Sequence, residues 1–202
     1  MARKITSYCI IDSKGIKRNN GFQDFASGNT FKENIDTLIH ENEIKNSRLG
    51  RMDPMSVLGF VGTELLLDNR KISEEYDPYD IGIVFSNNSS SLDTDLKYWD
   101  SVKKIASPSL FVYTLPNVSM AEICIKNCIK GENHFFLSQK IDLKLIYEQC
   151  STLFDQELSK VIITGWVDYF QDDYKAVLFI IEDGNGEYPD FTEENLNKIL
   201  KQ

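Results

Sequence analysis

The sequence predicts an α/β protein, a five-stranded mixed sheet with helices on both faces, in one domain spanning residues 1–202. Three observations carry this. Residues 80–85 (DIGIVF) and 160–169 (KVIITGWVDY) are nearly continuous apolar runs, the pattern of strands covered on both faces. Segments of helical periodicity separate the strands, and strands alternating with helices of about 10–15 residues build a three-layer unit. The 202 residues suffice to bury about two-thirds of the unfolded surface. Their 42% hydrophobic and 26% charged content is ordinary for a globular chain.

The elements follow in chain order. Residues 5–12 (ITSYCIID) are β-rich and end at a Ser-Lys-Gly turn, which predicts a first strand. Residues 17–50 are polar and marked as irregular by Asn19, Asn20, Gly21, Ser27, Gly28 and Asn29, with one helix within 31–40. Asp53–Pro54 opens the next helix, the carboxylate accepting from orphan N–H groups and the proline fitting the first turn. Its apolar face is Met55, Leu58, Val61, Leu65 and Leu66. Gly59 and Gly62 each cost about 1 kcal/mol there, a cost accepted where another element approaches closely. The strand at 80–85 comes next, then a polar loop at 87–91 and a helix over 92–105 with Leu96, Trp99 and Val102 spaced for one face.

Residues 107–140 read as loop, helix, turn and strand. The helix, 116–129, shows Val118, Ala121, Ile125 and Ile129 on one face, with Pro116 in its first turn. Gly131 is placed as the left-handed residue past its end, and a short strand follows at 134–137. A helix over 141–154 turns Leu145, Ile146, Gln149 and Leu153 inward. Strands at 160–169 and 174–182 and a helix over 192–202, capped by Thr192 and with Glu193 and Glu194 in its first turn, complete the chain.

The run SPSLFVYTLPN, a small-residue helix, the KGEN turn and a hydrophobic strand together resemble the amino-terminal half of β-ketoacyl-acyl-carrier-protein synthases of the thiolase superfamily. RMDPMSVLGFVGTELLL is similar to an early helix of that family, and VIITGWVDYF and YKAVLFIIED to two of its strands. The resemblance is clearest over 51–183 and implies a thiolase-like half-fold, one of the two halves of a complete synthase. In that family the strand ends, about nine residues past the turn glycine, at the nucleophilic cysteine. Here that position is Lys140, with Gln139 beside it. The family's two further catalytic residues, usually histidines, come from a carboxy-terminal half that has no counterpart in these residues.

Nucleophilic catalysis needs an activated nucleophile facing an oxyanion hole, so no catalytic residue is expected, and no cofactor or metal. Cys150 is expected to pack inside a helix and Lys140 to be a solvated amine rather than a Schiff-base lysine. Cys124 and Cys128 lie four apart, but a metal would need two more ligands and the only histidines are His40 and His134. Small buried thiols fit better, as in a reducing compartment. His134 reads as a structural hydrogen-bonder, and Asp168, Asp172 and Asp173 as turn carboxylates rather than a cation site.

The net charge of −9 argues against nucleic acid and anionic membrane as partners. No run approaches the ~18 apolar residues of a membrane span, and the opening MARKITSYCIID has no apolar region of signal-peptide type, so the expected location is the cytoplasm.

The resemblance implies a non-catalytic subunit like a chain-length factor, in fatty-acid, polyketide or polyene assembly. In the complete fold the helix after the nucleophile strand is buried between the halves. Helix 141–154 is therefore expected to leave an apolar side uncovered, which predicts a homodimer or a heterodimer with an active ketosynthase. The alternative is a structural or carrier-binding module that meets an acidic acyl carrier protein through Arg48, Arg51, Lys103, Lys104, Lys126 and Lys130. A third reading is a hydrolase or acyltransferase using Cys128 or His134.

Overall fold

A computed structural model describes residues 2–19 and 21–201. Asn20, expected in a loop, and Gln202, expected in the last helix, lie outside the described residues. The chain opens with β1 (Arg3–Asp12), then β2 (Gly15–Arg18) and β3 (Gly21–Asp24). The β2–β3 hairpin falls in the stretch expected to be irregular. All four residues of β3 are exposed, so the hairpin carries no apolar alternation by which a strand announces itself.

Helix α1 (Phe31–Glu41) starts at a capping box: the Glu33 N–H donates to the Thr30 hydroxyl, and the Thr30 N–H donates to the Glu33 carboxylate at 2.8 Å. Helix α2 (Pro54–Leu67) starts where expected, with the Ser56 N–H donating to Asp53 at 3.0 Å. It is buried almost all round. A Cβ at Gly59 would touch Val167, and one at Gly62 would come within 2.8 Å of Leu178, which is the close approach the two glycines serve. The short α3 (Ile72–Glu75) leads to β4 (Ile81–Asn87), buried throughout.

Helix α4 (Leu92–Val102) ends earlier than expected, and α5 (Pro108–Val112) is a separate turn capped by Ser107. Helix α6 (Val118–Asn127) buries Ser119, Met120, Glu122 and Ile123, whereas Ala121 and Ile125 face solvent, so its inward face is rotated from the one the apolar spacing suggested. The left-handed residue at its end is Cys128 (φ 57°), not Gly131. Gly131 serves close approach instead, since a Cβ there would lie 2.5 Å from the Ile81 and Tyr79 carbonyl oxygens.

Strand β5 (Asn133–Leu137), α7 (Leu143–Asp155), β6 (Val161–Phe170), β7 (Asp173–Asp183) and α8 (Glu193–Lys201) complete the chain. The α7 core face is Leu143, Ile146, Cys150, Leu153 and Phe154, so of the four side chains expected inward only Ile146 and Leu153 are fully buried.

The sheet order is β3-β2-β1-β7-β6-β4-β5, seven strands rather than five. The five expected strands are all present, and the hairpin adds two at one edge. β4 runs parallel to both β5 and β6, and the other pairings are antiparallel. One core lies between the sheet and α1, α2, α3 and α6. The other lies between the sheet and α7 and α8, with Phe191 tilted against Tyr147 and edge-on to Phe154. At the centre, Gly165 has φ 151°, and a Cβ there would stand 1.9 Å from the Val177 carbonyl oxygen.

Candidate functional site

Because β4, β5 and β6 are parallel, their carboxy-terminal ends lie side by side, and the loops leaving them form one rim. Asn87 ends β4 and folds the loop that follows. Its amide donates to the Ser90 carbonyl at 2.9 Å, and its carbonyl oxygen accepts the Ser90 N–H at 3.0 Å. Ser90 is left-handed, and the Ser89 N–H donates to Asp168 of β6 at 3.0 Å. At the end of β5 the Ser138 N–H donates to the Asn87 carbonyl at 2.9 Å. The rim is thus pinned by side chains of neighbouring strands.

Gln139 and Lys140 follow in the turn to α7, both exposed. The Lys140 carbonyl accepts the Ser138 hydroxyl at 3.1 Å, and its amine reaches into solvent. The first turn of α7 is closed by Asp142, whose carboxylate accepts the Leu145 N–H at 3.0 Å. An internal anion already occupies a helix terminus whose dipole would favour one.

The thiols lie elsewhere. Cys150 is fully buried inside α7, and desolvation pushes its pKa up to about 12, so it carries no thiolate at neutral pH. Burial does the same to Cys9, pushed up to about 12, and to the partly buried Cys124, pushed up to about 11. Cys128 is exposed at the end of α6.

His134, half-exposed on β5, stands 3.6 Å from the Glu132 carboxylate and edge-on to Phe136. Asp168 holds the loop after β4, Asp172 accepts the Phe31 N–H at the start of α1, and Asp173 opens β7. Among the described residues no three His, Cys, Asp or Glu side chains converge on a metal position. Of the basic residues proposed to face a carrier protein, Arg48 pairs with buried Glu122 at 2.7 Å, Lys103 with Asp100 at 2.6 Å, and Lys130 lies over the Tyr79 ring.

Two surfaces differ from expectation. The outward side of α7 is polar, with Lys144, Glu148, Thr152 and Asp155 exposed, and α8 packs beside it. The uncovered apolar side foreseen for that helix is therefore absent. Exposed apolar side chains gather on α4 and α5 instead. Leu96, Trp99 and Val102, expected on one face, face solvent, with Trp99 65% and the following Ile105 85% exposed. Phe111, Val112 and Leu115 continue the row, and Leu137 is also exposed at the end of β5, an edge strand. The side of α4 that faces the protein is carried by Thr94, whose hydroxyl donates to Asp53 at 2.9 Å.

A charge cluster around buried Glu182 marks the opposite end of the sheet. Glu182 of β7 accepts from both terminal nitrogens of Arg70 at 2.7 Å, from the Tyr76 hydroxyl at 2.7 Å and from the Thr6 hydroxyl at 2.5 Å. Burial opposes the Glu182 charge, but these hydrogen bonds outweigh it and the pKa falls below the usual carboxylate value. Arg70 forks between Glu182 and Glu75, and burial and the Glu182 bond push Tyr76 up to about 12. The cluster lines an open cleft of about 730 Å³ at the other end of the sheet from Gln139 and Lys140.

A structure described as the ishigamide ketosynthase/chain length factor superposes with a TM-score of 0.69 over 94% of this chain and 64% of that one, at 14% identity. The fold is like that of a ketosynthase/chain length factor. A type II PKS acyl-carrier protein in complex with its ketosynthase bound to the hexaketide gives 0.63 over 90% and 62%, at 14% identity. The ketosynthase ApeO in complex with its chain length factor ApeC from Xenorhabdus doucetiae gives 0.57 over 92% and 81%, at 12% identity. This chain therefore spans somewhat under two-thirds of the first two. No family model matches the sequence, and no curated protein matches it either. Among the described residues no helix is long and apolar enough to cross a membrane.

Sequence reasoning passed over the Asn87–Ser90 clamp, the Asp142 cap and the Arg70–Glu182 pair. The first two had local signals, an Asn followed three residues later by Ser and an Asp three before Leu145. The pair joins residues 112 apart in sequence and had none.

Proposed function

We propose that this chain is a ketosynthase-like, non-catalytic subunit, resembling a chain length factor, that pairs with an active ketosynthase in fatty-acid, polyketide or polyene assembly. One observation carries the reading: on a ketosynthase-like fold, the turn between β5 and α7 offers Gln139 and Lys140 and no thiol. The Asp142 carboxylate at the start of α7 supports it, because a thiolate beside that charge would be disfavoured. Lys140 holds the degenerate nucleophile position in this reading, and residues 1–202 act as one domain.

The apolar row on α4 and α5 is the surface we assign to association, with a ketosynthase or with a second copy. An acyl carrier protein is the further partner. Four free cysteines suit a reducing cytoplasm, where we place the protein.

The test is reconstitution with the ketosynthase encoded nearest to the gene and with acyl-loaded carrier protein. Intact-mass spectrometry is expected to show acyl groups on the ketosynthase and none on this chain, and light scattering a complex of the two. Acylation of this chain alone, or a strict monomer at micromolar concentration beside the ketosynthase, would overturn the reading.

A further inference from the structure

We draw no further inference here: the strongest candidate, the apolar surface patch formed by α4 and α5, belongs to the association surface already described, and nothing in the structure shows which chain covers it.

Discussion

At the scale of single residues, backbone geometry and buried charge give the sharpest expectations. Gly165 holds a φ that side chains rarely adopt, and any Cβ there would overlap the Val177 carbonyl of the neighbouring strand. Gly165→Ala should therefore cost roughly 3 kcal/mol or more, read from urea unfolding, because β6 and β7 must separate to admit it. A variant within about 0.5 kcal/mol of the parent would show that the strand relaxes freely. Cys128 presents the converse case, a side chain in the left-handed position that glycine prefers, so Cys128→Gly should stabilise by about 1 kcal/mol. Unchanged or lowered stability would reject that account of the helix end. Glu182→Ala leaves Arg70 partly buried without its main partner and should cost roughly 3 kcal/mol. Because the folded pKa of Glu182 lies below its unfolded value, its contribution is complete above about pH 5 and fades as pH falls through the folded pKa. The parent should lose more stability than Glu182→Gln on acidification, and parallel curves for the two would remove Glu182 from the acid response. The Gly165 and Glu182 effects both depend on which distant segments meet, and neither residue announces its role in the sequence.

Among elements, the legible ones are those whose signal is local. Asp53–Pro54 opens α2 and Thr192 caps α8 as their sequences indicate, since a cap and its acceptor lie within one turn. The strands β4, β6 and β7 are legible because burial on both faces leaves a run of apolar residues. Periodicity failed where the apolar stripe of a helix is not its core stripe. On α4, Leu96, Trp99 and Val102 satisfy helical spacing yet point away from the sheet, while Thr94 and Ser91 make the buried contacts. Spacing reports that a face is apolar and not what it covers, so an association surface and a core face look the same in sequence. The β2–β3 hairpin escaped notice for the opposite reason, being too polar and short to show any period. The α4 surface carries its own prediction. Leu96→Glu combined with Trp99→Glu should leave the unfolding free energy within about 0.5 kcal/mol of the parent, since both side chains are exposed, and should abolish association in light scattering. Retained association would move the interface elsewhere, and a large loss of stability would show that the row packs within the chain.

For the whole molecule, the question is whether chemistry could be returned to this scaffold by one substitution. A nucleophile depends on its surroundings as much as on its own sulfur: it needs a base or positive potential that lowers its pKa, and an oxyanion hole beside it. At the turn before α7 the helix terminus is already occupied by Asp142, and the rim hydrogen bonds are spent within the rim, Asn87 on Ser90 and Ser89 on Asp168. His134, on the strand before the turn, faces Glu132 rather than a position beyond the strand end. Neither Lys140→Cys nor Gln139→Cys should therefore take an acyl group from an acyl-carrier protein, alone or with the association surface intact. Iodoacetamide should label the new thiol because the turn is exposed, as it should label Cys128 in the parent, while Cys9 and Cys150 stay unmodified until the chain unfolds. The two readouts separate access from activation. Labelling without acylation is the expected result, whereas an acyl-enzyme on Lys140→Cys would show that the rim can still activate a nucleophile and that the chain is closer to a catalyst than its residues indicate.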